Sequence, residues 1–190
     1  MPRRRERARI GRPYDDSSTD AILRATLAVL AERGYHATSL DEIAARAGSS
    51  KPTIYRRWEG KPHVVAEAVR HALARANPDA PHTADPRADL RIVLHNVIDA
   101  LTGTPFGSAI RTLLDVAESE PELAACLAAV ERDRRAVLRA VLQRALAPAA
   151  ARDLELEIDL LLGPIYFRFL VRRTPIPRRL ADTLIARLVR

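Results

Sequence analysis

Lys51, Thr53, Arg56 and Arg57 fall within one short run, Lys51 to Trp58, in which Ile54 and Trp58 stand four residues apart. If that run is helical, the apolar pair faces a core and the polar side chains lie on other faces. Ammonium, guanidinium and hydroxyl groups presented in this way attract anions and donate hydrogen bonds. The rest of the chain offers little machinery for breaking bonds. Its five histidines, His36, His63, His71, His82 and His95, include no pair at the i, i+3 or i, i+4 spacing of a helical metal site. There is no Glu-x-x-His, no glycine-rich phosphate loop and no Gly-x-Ser-x-Gly elbow. Cys126, the one cysteine, lies in the apolar stretch Leu123 to Leu127 and reads as a small packing residue. No catalytic residue, metal or cofactor is therefore expected.

A chain of 190 residues with 47% hydrophobic and 29% charged residues can bury its own core without disulfides. No apolar run has the length of a membrane span, and Met1-Pro2-Arg3-Arg4-Arg5 leads into polar residues, so a cytoplasmic protein is expected. The formal charge of +7 is unevenly placed. Residues 1–75 hold 15 basic and 9 acidic side chains, so the excess sits in the N-terminal third. That pattern suggests a polyanion-binding head on a nearly neutral body.

Apolar residues recur at helical spacing in segment after segment and strand-like alternation is absent, which predicts an all-α chain. Residues 1–16 form a basic arm, with Arg3, Arg4, Arg5, Arg7, Arg9 and Arg12. A first helix starts near Ser17 or Ser18, presents Leu23, Leu27 and Leu30, and stops at Gly34. Ser39 and Glu42 form an S-x-x-E capping box for a second helix that Gly48 ends; Ser49-Ser50 cap a third, from about Lys51 to Trp58, with Pro52 in its first turn. A fourth runs from about Lys61 to Ala76. Residues 77–86, with three prolines, read as a linker. Helices are predicted beyond it near 87–102, 106–119, 121–147, 153–173 and 177–190.

Two short helices joined through Ala47-Gly48-Ser49-Ser50 and braced by a preceding helix make a helix-turn-helix. The sequence here resembles the TetR family of transcriptional regulators. The resemblance rests on Ser39-Leu40-Asp41-Glu42-Ile43-Ala44, on Ala47 through Trp58, and on Gly60-Lys61. It implies a three-helix DNA-binding domain over 17–62, then a helical ligand-binding and dimerisation domain over 63–190. Partners implied are double-stranded operator DNA, a second copy of the chain and a small-molecule effector. Ser39 matches a position that often contacts phosphate, beside its role as a cap; Ser50 caps the recognition helix and belongs to the same candidate surface. Lys51, Pro52, Thr53, Tyr55 and Arg57 match groove-facing positions, with Arg56 beside them. Lys61 matches a lysine that usually pairs with phosphate, and Trp58 an aromatic core position. The departures are Ser49, where a small apolar residue is frequent, and Pro52, where glycine is also common.

Helix 153–173 is apolar nearly all round, so it must be covered nearly all round; with the stripe Leu180, Leu184, Ile185 and Leu188 of the last helix it suggests a symmetric dimer seam. Gly163-Pro164 should kink it. An effector pocket is expected among helices 87–147 near that kink, with His95, Asn96, Asp99, Phe106, Arg134 and Tyr166 as candidate lining. Arg134 would anchor an acidic effector or pair with Glu155, Glu157 or Asp159. The leading expectation is a repressor released from its operator by an effector. The alternative is a constitutive DNA-binding or nucleoid-associated protein that relies on its arm.

Overall fold

The structure is a computed structural model, and it describes residues 16–76, 81–146 and 153–188. The arginine arm, with Arg3 to Arg12, lies outside the described residues. So do 77–80 of the linker and the break near Pro148. Among the described residues every regular element is helical. They are α1 (Asp16–Ala37), α2 (Leu40–Arg46), α3 (Lys51–Tyr55), α4 (Lys61–Ala76), α5 (Pro86–Gly103), α6 (Pro105–Ala117), α7 (Pro121–Ala145), α8 (Leu154–Tyr166) and α9 (Arg179–Leu188); α8 continues as a π-helical turn over Phe167–Arg172.

Local sequence sets these boundaries. Pro86, Pro105 and Pro121 each open a helix, where the missing N–H would have had no partner. Asp85, Thr104 and Asp153 cap α5, α6 and α8 by accepting from backbone amides of Arg87, Phe106 and Leu156. Gly34, at φ 74° and ψ 172°, interrupts α1 where a stop was expected. Gly107 is needed for a different reason: a Cβ there would fall inside the Leu101 carbonyl oxygen at the α5–α6 corner.

Two elements differ from expectation. α3 ends at Tyr55 instead of Trp58, because the amides of Arg57 and Trp58 converge on one acceptor, the Ile54 carbonyl, at 2.9 and 3.0 Å. α8 runs through Pro164 as an α-helix and then widens into the π-turn, which closes at Arg173 in the left-handed region, φ 52°. Proline withholds the donor that Leu160 would otherwise receive, and the altered register follows directly downstream.

α1 packs against α2, α4 and α6, while α4 also meets α5 and α7. Ile22, Leu30, Ile43, Ile54, Val64 and Val65 make the head's core, which runs through α4 into that of the body. The buried Thr26 hydroxyl donates to the Ile22 carbonyl at 2.8 Å, so that hydroxyl is satisfied within its own helix. On α8, Leu156, Leu160, Phe167 and Val171 stay 52–66% exposed along one face. The stripe of α9 behaves otherwise. Ile185 is buried and Leu180, Leu184 and Leu188 are half-buried against the chain's own core, with α9 lying on α5 and α8, so the more open apolar face is that of α8.

The end of the linker is fastened by a buried carboxylate. Asp89, fully buried in α5, accepts from the Thr83 amide (3.0 Å) and hydroxyl (2.7 Å) and from Arg144 of α7 (2.9 Å). Arg144 also donates to the Pro81 carbonyl at 2.6 Å. Burial alone would push the Asp89 carboxyl up; the Thr83 and Arg144 hydrogen bonds outweigh it and hold the group below the usual aspartate range. A depressed carboxyl stabilises the fold above its unfolded pKa, and that contribution disappears as pH falls through the folded one. Thermal melts should therefore drop on acidification below about pH 4. Asp89→Asn should melt lower at pH 7 and show a flatter acid limb. An acid limb as steep as that of the parent chain would assign the effect to other carboxylates.

Candidate nucleic-acid interface

Ser39 is extended and caps α2, its hydroxyl accepting from the Glu42 amide at 3.2 Å. Gly48, at φ 61°, turns the chain, and Ser50 caps α3 by accepting from the Thr53 amide at 3.3 Å; the two hydroxyls lie 2.8 Å apart. Ile54 is fully buried and Trp58 packs against the same core, which fixes the roll of the short helix. Ser39, Ser50, Pro52, Tyr55 and Arg56 are thereby exposed, with Lys51 and Thr53 half-buried beside them. Tyr55, at 53% exposed, is the large aromatic of this surface.

Two of the cations singled out in the sequence are turned elsewhere. Arg57 reaches back towards α1, its Nη1 lying 3.4 Å from the Ser18 hydroxyl. Lys61 donates to the carbonyls of Tyr35 (3.0 Å) and Thr38 (3.4 Å), and its ammonium sits 4.1 Å from the Tyr35 ring centroid. Burial pulls that ammonium below the usual lysine range. Lys61 thus ties the start of α4 to the end of α1 and the residue that follows it, where carbonyls at a helix end attract a cation. Lys51 is also engaged, with Nζ 2.8 Å from the Asp41 carboxylate of α2; that bond raises its pKa. Arg46 forks onto Glu32 at 2.6 and 2.7 Å, and Arg33 meets Glu42 at 2.7 Å, so α2 is fastened to α1.

The pocket candidates divide. Phe106, Arg134 and Tyr166 line a cavity of about 590 Å³. Val69 and Leu73 of α4, Leu113 of α6, Leu127 of α7 and Leu162 of α8 complete most of its wall. Asn96 and Asp99 lie instead in a separate groove beside Arg24 and His71, and Asp99 pairs with Arg178; His95 lines neither. The face of α5 that meets α7 is made of apolar residues such as Val93 and Val97, so these polar residues point away from the large cavity. Arg134 pairs with Glu131, one turn back on its own helix, while Glu155 and Asp159 are taken by Arg135. The Glu131 partnership was present in the sequence as an i, i+3 spacing.

Comparison with known proteins places both halves. The pattern described as bacterial regulatory proteins of the tetR family matches residues 22–68, and the tetracyclin repressor-like C-terminal domain matches residues 80–188. The chain belongs to the TetR family. The uncharacterized HTH-type transcriptional regulator YdeS of Bacillus subtilis is 31% identical over 165 residues, covering 85% of this chain and 82% of its own. The DNA-binding transcriptional repressor TetR of Mycobacteroides abscessus is 34% identical over 101 residues, 52% of this chain and 53% of its own. Among solved structures, the TetR family regulator SCO0332 superposes with a TM-score of 0.70 at 26% identity, over 92% of this chain and 97% of that one. FadR of Bacillus subtilis, solved with stearoyl-CoA, has the same fold at a TM-score of 0.70 and 21% identity, over 90% and 97% of the two chains.

As a TetR family member the chain is a DNA-binding helix-turn-helix transcriptional regulator with a helical C-terminal domain. Among the described residues no helix is long and apolar enough to cross a membrane, and no group of three or more His, Cys, Asp or Glu side chains is placed to hold a metal ion. The contacts of Lys61 make its substitution a stability experiment. Lys61→Met should cost about 1–2 kcal/mol through two lost charged hydrogen bonds and the ring contact, read by urea denaturation. An unchanged midpoint would return Lys61 to the set of side chains free to meet phosphate.

Proposed function

We propose that the chain is a ligand-responsive repressor, acting in the cytoplasm as a homodimer that a small-molecule effector releases from its operator. The reading divides it into the arm over 1–16, a DNA-binding domain over 17–62 and a ligand-binding and dimerisation domain over 63–190. Its carrying observation is that one helix serves both domains: α4 lends Val69 and Leu73 to the cavity wall and, through Lys61, grips the end of α1. A ligand that spreads the cavity pushes on that helix, and in a dimer the spacing of two recognition helices changes with it. A tenfold loss of operator affinity requires about 1.4 kcal/mol of preference of the ligand for the released state.

On the DNA side, Tyr55, Arg56, Pro52 and the hydroxyls of Ser39 and Ser50 are the groups open to a duplex, with Lys51 and Thr53 at their edge. Lys51 reaches DNA by exchanging Asp41 for a phosphate or a base edge. Arg57 and Lys61 act by holding the head together. The open α8 face supports the dimer, since contiguous exposed apolar side chains mark interaction surfaces.

Sequencing the fragments that the purified protein retains from its own genome identifies the operator. On that DNA, Tyr55→Ala should weaken binding at least tenfold with an unchanged melting temperature. Asp41→Asn should strengthen it about two- to five-fold, since a surface ion pair no longer competes. Any compound that raises the melting temperature by occupying the cavity should lower operator affinity at saturation. A stabilising, cavity-bound compound that leaves operator affinity unchanged overturns release by that compound.

A further inference from the structure

The large cavity is apolar except along one side, where Arg134 lies. Arg134 borders this cavity and also a smaller one of about 150 Å³, between α4, α5 and α7. Its Nε and Nη2 donate to the two oxygens of Glu131 at 2.8 and 2.6 Å, so the two side chains form a neutral unit. The guanidinium carbon stands 5.4 Å from the Tyr166 ring centroid. Nη1 is buried and makes no hydrogen bond. Arginine cannot shed that donor at any accessible pH, and a buried donor without an acceptor is a standing cost to the empty protein.

The surrounding charges cancel. Arg135 is held by Glu155 and Asp159 and lies 3.7 Å from Glu131, and Arg139 shares Glu155, so three cations meet three carboxylates. Burial raises the Tyr166 phenol above its usual range, so it remains a neutral hydroxyl. An anionic ligand would lose its water without finding an uncompensated cation. An ammonium would find the Glu131 oxygens occupied.

We infer that the cavity takes a neutral, largely apolar molecule carrying one carbonyl-type acceptor, the oxygen of a ketone, ester, lactone or amide, to which Arg134 Nη1 donates. The inference rests on the ligand-responsive reading for the site and adds the chemistry. Because Nη1 is covered in the empty protein, the guanidinium turns on binding to present it, and Glu131 stays beside it as the counter-charge.

The test uses the full chain and four probes of similar skeleton: benzylacetone, hydrocinnamate, phenylpropylammonium and butylbenzene, titrated by calorimetry. Benzylacetone is expected to bind about tenfold more tightly than each of the others. Arg134→Met should erase its advantage over butylbenzene while leaving butylbenzene within about twofold, and Arg134→Gln, which keeps an uncharged N–H donor, should restore part of it. Thermal melts establish that both variants fold; if Arg134→Met does not, the ketone's advantage in Arg134→Gln decides. Ala128→Trp, at the cavity wall, should block all four probes.

Tightest binding by hydrocinnamate or the ammonium, an advantage that survives Arg134→Met, or no binding by any probe overturns the inference. A parallel titration on operator DNA separates the two claims. Benzylacetone that binds as expected yet leaves DNA affinity unchanged supports the chemistry and defeats the release mechanism. Hydrocinnamate that binds tightest and releases DNA does the reverse.

Discussion

The grip of Lys61 on the Tyr35 and Thr38 carbonyls fixes one end of α4, and burial fixes the rest: Val64, Val65, Ala66, Ala68 and Val69 are all buried. A 16-residue helix is about 24 Å long and bends little, so a shift at Leu73 is felt near Lys61. Charged and polar side chains hold the same helix to its neighbours on two sides. His71 and Arg75 meet Asp20 of α1, and Arg70 meets Asp133 of α7. α4 belongs to the head and the body alike, and the two cannot move independently without breaking these contacts.

The same accounting changes what the charge of the head means. Residues 16–75 hold nine basic and seven acidic side chains, so most of the N-terminal excess belongs to the arm. Within the folded head, Arg33, Arg46, Lys51 and Lys61 all have partners in the head itself. The exposed pairs of Arg33, Arg46 and Lys51 add little stability but set geometry, whereas Lys61 is partly buried on backbone carbonyls. Much of the head's positive charge is thus already matched by its own carboxylates.

Features governed by local rules were legible in the sequence. The Ser39 and Ser50 caps, the turns at Gly34 and Gly48 and the helix with Pro52 in its first turn depend on residues within four positions of one another, and the structure has each of them. The inward roll of Ile54 and Trp58 followed from spacing alone. What escaped depended on partners far along the chain or on competition between near ones. Lys61 finds carbonyls 23 and 26 residues away, and Arg57 finds Ser18 39 residues away; no periodicity encodes such pairings. Arg134 was misassigned because α8 offered several acids, although Glu131 lay on its own helix and needed no tertiary contact. His95, Asn96 and Asp99 were placed by polarity within a plausible helix, but helical phase decides which face a residue joins, and the Val93–Val97 face was the one packed against α7.

α8 joins two requirements that its composition left undivided. Ile158, Leu161, Ile165 and Phe169 are buried in the chain, whereas Leu156, Leu160, Phe167 and Val171 are not. Full burial of such side chains is worth about 1.5–3 kcal/mol each, so an open face of four is strongly drawn to a cover. TetR family regulators dimerise, and in a symmetric dimer two copies of such a face can cover one another. Leu162, Gly163 and Tyr166, on the other side of this helix, form part of the cavity wall. The stretch between the two surfaces contains Pro164, which supplies no amide donor to the ladder, and leads into the π-turn. The cavity wall therefore draws on both α4 and α8, and the α8 stretch that contributes Leu162, Gly163 and Tyr166 belongs to the helix that carries the open face.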